Sequence, residues 1–252
     1  MISGIDMQKK YFTIKENRPI ATNTYLMRLE GDTKDIVNSG TFVNIRLDGL
    51  YLRRPISVCD SVDGLLTLVY KAVGKGTEQM IAMRQGEKLE LLTGLGNGYD
   101  ITVDTKKPLL IGGGVGVPPL YMLCKKLREK GLEVSVILGF NRADEVFFEE
   151  EFKALGASVT VMTADGSYGG KGFVTDAMDA VDYDYFYTCG PEPMLKAIFS
   201  KSGDVSGQFS FEERMGCGFG ACMGCSCKTV TGNKRICREG PVLVKEDILW
   251  QK

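Results

Sequence analysis

Apolar and polar positions alternate over the first hundred residues and run in blocks through the next hundred, so the chain changes texture part-way. Between residues 1 and about 104, short alternating runs recur at Tyr25–Leu29, Phe42–Leu47, Leu65–Tyr70 and Lys88–Leu92, divided by Gly, Asp and Asn. Period-two patterns bounded by turn-forming residues predict strands. One helix is predicted at Thr77–Arg84, ending before Gly86. Strands at this spacing point to a small antiparallel barrel. From Lys107 to about Gly203 strand and helix patterns alternate. Pro108–Gly112, Val134–Gly139, Ser158–Thr163 and Tyr185–Thr188 read as strands. Pro118–Lys130, Val146–Leu155, Thr175–Ala180 and Pro193–Ser200 read as helices. Such alternation predicts a doubly wound parallel sheet with helices on both faces. The expected organisation is a multidomain α+β and α/β chain: a β-barrel over 1–104, an α/β domain over 105–205, and a small domain over 206–252.

That last segment has little periodicity but many thiols. Cys217, Cys222 and Cys225 follow the spacing C-x4-C-x2-C, and Cys237 lies beyond a short polar excursion. This pattern holds a [2Fe–2S] cluster in plant-type ferredoxins. Three thiolates from one loop reach two irons only if the backbone wraps the inorganic core, which favours the small residues Gly216, Gly218, Gly220, Ala221 and Gly224. A four-cysteine zinc site more often uses two C-x2-C knuckles separated by a longer loop, which these residues do not provide. Cys227 is a competing ligand, but Cys225 keeps the x2 spacing.

Composition narrows the chemistry. Eight cysteines in 252 residues, no transmembrane-length apolar run, and an N-terminus (Met1–Lys10) unlike a signal or transit peptide favour a reducing cytoplasm over a disulfide framework. A net charge of −1 gives no reason to expect nucleic acid or an anionic membrane as partner. There is no histidine, which excludes Ser-His and Cys-His hydrolytic machinery, Rieske-type clusters and histidine-ligated metals. Hydride and electron transfer through cofactors remain.

Two glycine-rich stretches carry further chemistry. Gly112, Gly113, Gly114 and Gly116 lie where a predicted strand turns into a helix, a place where peptide N–H groups can receive a phosphate. The stretch departs from G-x-G-x-x-G, with Val117 or Pro119 where the last glycine would fall. Gly74-Lys-Gly-Thr77 opens the helix of the barrel region, preceded by the cationic Leu52-Arg-Arg-Pro-Ile-Ser57. Either stretch, taken singly, also reads as an ordinary turn. Cys59 and Cys124 read as core residues, and Cys189 as a buried residue or a neighbour of a nicotinamide. Asp165–Gly170 reads as a nucleotide contact or a turn, the acidic run Glu145–Glu151 as a solvated helix start, and Trp250 as core or interface.

In combination these motifs resemble a known family. Arg54-Pro-Ile-Ser57 resembles the R-x-Y-S signature of the ferredoxin–NADP reductase superfamily, with Ile56 in place of Tyr. Gly74–Thr77 resembles its flavin-pyrophosphate loop, and Gly112–Pro119 and Thr188-Cys-Gly-Pro-Glu-Pro-Met194 its nicotinamide nucleotide motifs. With Phe211-Glu-Glu-Arg-Met-Gly-Cys and Cys237-Arg-Glu-Gly-Pro-Val242, the chain resembles the electron transfer subunits of dihydroorotate dehydrogenase B along its whole length.

The resemblance implies FAD on the barrel, held by Arg54, Pro55, Ile56, Ser57, Val69, Tyr70, Lys71, Gly76 and Thr77. With Ile56 for Tyr, ring stacking must come from elsewhere, Tyr70 being one candidate. It implies NAD at Gly112, Gly113, Gly114, Gly116, Cys189, Gly190 and Pro191, and a [2Fe–2S] cluster on Cys217, Cys222, Cys225 and Cys237. Asn141-Arg-Ala-Asp-Glu145 sets a cation that could take a 2′-phosphate beside two carboxylates that would repel it; the resemblance favours NAD. The implied partner is an FMN-containing dihydroorotate dehydrogenase catalytic subunit, in a heterotetramer of two plus two. The implied net reaction is dihydroorotate and NAD+ to orotate and NADH, in pyrimidine synthesis. Related small subunits serve sulfide dehydrogenase or NADH-dependent ferredoxin–NADP oxidoreductase and remain an alternative.

Overall fold

The computed structural model describes residues 7–250; the first six residues, part of the stretch read above for a leader, lie outside them. Six strands form the first unit: β1 (Gln8–Ala21), β2 (Thr24–Glu30), β3 (Phe42–Ile45), β4 (Arg54–Val62), β5 (Leu65–Lys71) and β6 (Lys88–Leu95). They close in the order β1-β2-β5-β4-β3-β6, every pair antiparallel. Alternate residues, among them Phe12, Ile14, Met27, Leu29, Val43, Ile45, Leu66, Leu68, Leu89 and Leu91, fill the interior. Each such fully buried side chain contributes roughly 1.5–3 kcal/mol. The helix α1 (Lys75–Ile81) starts two residues earlier than predicted, because Thr77 bonds back to the turn at Gly74.

Two of these strands escape the pattern reading. Beyond Phe12 and Ile14, β1 is polar and half-exposed, so alternation fades although the ladder continues to Ala21. The flavin-type motif lies within β4, whose first four residues are only partly buried.

The second unit is a seven-stranded sheet. Its strands in chain order are β7 (Pro108–Gly113), β8 (Ser135–Phe140), β9 (Ser158–Thr163), β10 (Gly170–Lys171), β11 (Tyr185–Cys189), β12 (Gly207–Ser210) and, after a hairpin of β13 (Ser226–Thr229) and β14 (Gly232–Arg235), β15 (Val242–Val244). The spatial order is β10-β9-β8-β7-β11-β12-β15, parallel except for β15. Helices α2 (Pro118–Glu129) and α3 (Glu149–Ala154) cover one face, where Leu110 meets Leu120, Leu123 and Phe152. Helices α4 (Val174–Ala177) and α5 (Glu192–Lys201) cover the other, where Leu109 and Ile111 meet Leu195, Ile198 and Phe199. Trp250 packs on this second face, against Phe199, Phe209 and Phe211.

Helix α2 also faces the barrel. Its Met122 joins the barrel core, and Lys125 Nζ reaches Asp60 Oδ2 on β4 at 3.2 Å. This contact turns the barrel's β4–β5 side toward the carboxyl ends of β7 and β11. The boundary expected at 205/206 cuts through the sheet, since β12 and β15 on its far side both belong to it. Four- and three-residue strands carrying buried Gln208 and Ser210 leave no periodic signal.

Candidate cofactor clefts and cluster loop

Two clefts open where barrel and sheet meet. The first, of about 410 Å³, is walled by β4, β5 and α1 on one side and by the end of β11 and the stretch after β12 on the other. Arg54, Pro55, Ile56, Ser57, Val69, Tyr70, Lys71, Thr77 and Cys189 all line it. Gly76 sits behind Arg54, and a Cβ there would collide with the guanidinium. Arg54 donates Nη1 to the Leu52 carbonyl at 2.5 Å and has no carboxylate partner among the described residues. Its remaining donors suit an anionic phosphate. The Thr77 hydroxyl accepts from Val73 N–H at 2.9 Å and donates to the Gly74 carbonyl at 3.1 Å, tightening the turn. First-turn N–H groups of α1 are thereby presented without helical partners. Tyr70 stacks on Tyr25 at 5.6 Å and donates to Asn17 Oδ1 at 2.9 Å. Burial raises its phenol to about 12. One face of its ring is therefore already used inside the barrel.

The second cleft, of about 540 Å³, adjoins the first and shares Lys71, Val115 and Glu212 with it. Gly113, Gly114, Gly116, Gly190 and Pro191 line it. Gly112 does not; it packs within β7, where a Cβ would lie 2.9 Å from Val117 Cγ2. Gly116 is held against the Cys189 carbonyl so closely that any side chain would strike it. The turn after β7 and the turn after β11 thus touch backbone to backbone, at the carboxyl ends of adjacent parallel strands, where ligands of such sheets bind. Cys189, expected on the nucleotide side, lines the first cleft and not the second, because it ends β11 facing the barrel; it is buried, and burial pushes its thiol up to about 12, so it is a neutral wall residue there. Asn141 and Glu145 line the second cleft; between them, outside its lining, Arg142 Nη2 is 3.1 Å from Asp144 Oδ2, and Asp144 also takes the Thr22 hydroxyl at 2.8 Å. Asp165 accepts from the N–H and hydroxyl of Ser167, so Asp165–Gly170 begins as a self-closed turn, with Ala164 and Gly172 lining the cleft on either side of it.

The cysteine loop follows β12. Its thiols form two pairs. Cys217 Sγ accepts from Ala221 N–H at 3.2 Å and Cys222 N–H at 3.4 Å, while Cys222 Sγ accepts from Cys217 N–H at 3.4 Å. Cys225 Sγ accepts from Cys237 N–H at 3.4 Å. Among the described residues no group of three or more acidic or thiol side chains is gathered closely enough to hold a metal ion; a two-iron core takes four cysteines, two per iron, and the thiols lie as two pairs. Burial works against ionisation of Cys217, but N–H donors from Phe219, Cys222 and Ala221 and the Cys222 thiol outweigh it and bring the thiol to about 6. Burial, then the Cys225 contact, pushes Cys237 up to about 12. Cys225 and Cys237 are buried against Phe42, Leu92 and Leu95 of the barrel, whereas Cys222 is exposed. Cys227 lies on β13 with a raised pKa, from burial first and then Glu213.

Comparison with known proteins agrees with this geometry. Residues 212–249 match the iron–sulfur cluster binding domain of dihydroorotate dehydrogenase B, and residues 110–199 match an oxidoreductase NAD-binding domain. The chain is 44% identical to the dihydroorotate dehydrogenase B (NAD(+)) electron transfer subunit of Fusobacterium nucleatum, over 94% of this chain and 96% of that one. It is 43% identical to the same subunit of Bacillus pumilus, over 96% and 98% respectively. The chain belongs to this family of electron transfer subunits. A solved NADH-dependent reduced ferredoxin–NADP oxidoreductase is similar too, at 30% identity with a TM-score of 0.86 over 95% of this chain and 90% of that one.

As a member of the dihydroorotate dehydrogenase B electron transfer subunits, the chain has an iron–sulfur domain and an NAD-binding domain on a ferredoxin-reductase-like fold. The structure adds lining residues for which the motifs imply no flavin contact. Ser210, Phe211 and Glu212 enter the first cleft because β12 ends beside β11, Val115 comes from the turn after β7, and Pro241 comes from the stretch leading into β15. Glu212 touches both clefts, and desolvation by their walls raises its carboxyl. Phe211-Glu-Glu belongs in sequence to the cysteine segment; only the strand pairing reveals its second neighbour.

Proposed function

We propose that the chain relays electrons between NAD and a dihydroorotate-oxidising partner subunit, using FAD in the first cleft, NAD in the second and a [2Fe–2S] cluster on Cys217, Cys222, Cys225 and Cys237. The observation that carries this reading is the shared wall of the two clefts, Lys71, Val115 and Glu212, which supports a flavin and a nicotinamide in reach of each other beside a thiol loop fastened to the same barrel. Bound FAD supplies two-electron exchange with the nicotinamide and one-electron exchange with the cluster. The protein's own residues bind and orient. Arg54, backed by Gly76, receives the flavin pyrophosphate with the first turn of α1. Pro55, Ile56, Ser57 and Val69 line the ring side. Lys71, 3.6 Å from Glu145, ties the barrel to the nucleotide domain across the shared mouth. Gly113, Gly114, Gly116, Gly190 and Pro191 leave room for the dinucleotide backbone. No side-chain acid or base is required.

NAD rather than NADP is supported by Asp144, which occupies Arg142 and would repel a 2′-phosphate. The exposed Cys222, flanked by Phe219 (39% exposed) and Met223 (54% exposed), supports docking of the FMN-containing catalytic subunit over the cluster loop. We assign the assembly as two plus two subunits in the cytoplasm. The cysteines outside the cluster set, Cys59, Cys124, Cys189 and Cys227, form no disulfide, which suits that compartment. The three functional parts are the barrel, the nucleotide sheet and the loop between β12 and β15.

Reconstitution with the catalytic subunit tests the reading: orotate should form from dihydroorotate and NAD+ only when both subunits are present. Cys222→Ser should abolish that turnover while leaving NADH reduction of the flavin intact. Anaerobically purified protein without iron or acid-labile sulfide would overturn it. The similarity to a ferredoxin–NADP oxidoreductase favours one second reading, a relay for another partner; activity restored only by a different catalytic subunit would select it.

A further inference from the structure

Asn44 is a polar side chain in an apolar place. It lies on β3 at 1% exposed, between Val43 and Ile45, which point into the barrel core. Strand alternation sends Phe42 and Asn44 the other way, and Phe42 packs against the cysteine segment. Between these two residues the register with β6 slips, from Phe42 opposite Leu95 to Asn44 opposite Leu92. Such a bulge re-aims a side chain. Asn44 Nδ2 donates to the Cys217 carbonyl at 3.2 Å, a contact between residues 173 positions apart. The next residue, Gly218, has φ of +80°, and a Cβ on it would collide with the Asn44 amide. Asn44 Oδ1 is buried without a partner. Turning the amide over would set Oδ1 against the Cys217 carbonyl, so the orientation is dictated by the loop. Across the ladder Asn44 pairs with Pro55, which lines the first cleft, and the Asn44 carbonyl accepts Arg53 Nη1 at 3.4 Å.

We propose that Asn44 is a positioning residue for the cluster, linking the flavin-facing strands of the barrel to the loop that carries Cys217. By holding the Cys217 carbonyl, it keeps the N–H groups of Ala221 and Cys222 aimed at the Cys217 sulfur. N–H donors on cluster sulfurs favour the more negative, reduced state, so they set its potential. The inference rests on the cluster reading above. Asn44→Leu removes the donor and, with it, the orphaned Oδ1, so the barrel has reason to keep its fold.

The test uses the full chain purified anaerobically with its catalytic partner, titrated by redox potential and followed by electron paramagnetic resonance. Asn44→Leu should retain FAD and iron, change the cluster's g-values, and lower the equilibrium constant for cluster reduction about tenfold, equal to about 59 mV for one electron. Gly218→Ala, which strikes the same amide from the loop side and leaves β3 untouched, should shift the potential in the same direction. Wild-type potential and spectrum in iron-replete Asn44→Leu, or in iron-replete Gly218→Ala should Asn44→Leu not fold, would overturn the proposal. A wild-type chain without iron would instead sink the cluster reading itself.

Discussion

At the scale of single residues, the thiols and Arg54 are marked by spacing and motif, Asn44 by neither, and Glu212 by a motif that implies no cleft contact for it. Cysteine ligands belong to one loop plus a close return, so their geometry is written in local spacing. Asn44 and Glu212 acquire roles only through neighbours distant in sequence. Arg54 has no carboxylate partner among the described residues and presses on Gly76, which supports the proposed flavin pyrophosphate as its counter-charge. Arg54→Ala should lower FAD affinity by about tenfold to a hundredfold, the worth of one charge-assisted hydrogen bond of roughly 1.5–3 kcal/mol. Flavin-to-protein ratio after dialysis measures this, and full occupancy in the variant would exclude a pyrophosphate role.

Elements were legible where periodicity was strong. The parallel strands β7 and β8 are near-continuous apolar runs and the edge-side β9 alternates, and their predicted bounds differ from the structure by one residue at most. β1, β4 and β12 were missed because polar residues on them satisfy contacts elsewhere. Glu90 shows how such residues hold elements together. From β6 it accepts the Tyr11 hydroxyl of β1 at 3.1 Å, pairs with Arg46 beyond β3 at 3.3 Å, and makes a close ion pair with Arg53 before β4. The Arg53 hydrogen bond, against burial, lowers its carboxyl below the usual 4.5. A depressed folded-state pKa contributes stability that is present above 4.5 and lost as pH falls through the folded value. Thermal midpoints followed from about pH 6 to pH 3 should therefore fall more steeply in wild type than in Glu90→Gln. Parallel curves would remove Glu90 from the barrel's acid response.

For the whole molecule, the cysteine segment is built into its neighbours. β12 and β15 complete the nucleotide sheet, Gln208 Nε2 bonds the Asp100 carbonyl at 2.8 Å, and buried Lys245 donates to the Gly203 and Val205 carbonyls at 2.7 Å each. Asn97 Nδ2 bonds the Val242 carbonyl at 2.8 Å, fastening the tail to the end of β6. A chain ending at residue 205 would bare the edge of β11 and its apolar surround. It should aggregate and bind NADH poorly, as read by light scattering and NADH titration; wild-type NADH binding would show the segment to be detachable. The sequence alone determined the barrel and parallel-sheet textures, the cysteine-rich iron–sulfur segment and the glycine turns, because periodicity and spacing act over a few residues. Tertiary structure decided that the two clefts share Lys71, Val115 and Glu212, that the thiols fall into pairs, and that Asn44 meets Cys217. Those contacts depend on strand order and on how barrel and sheet dock, which no local pattern encodes.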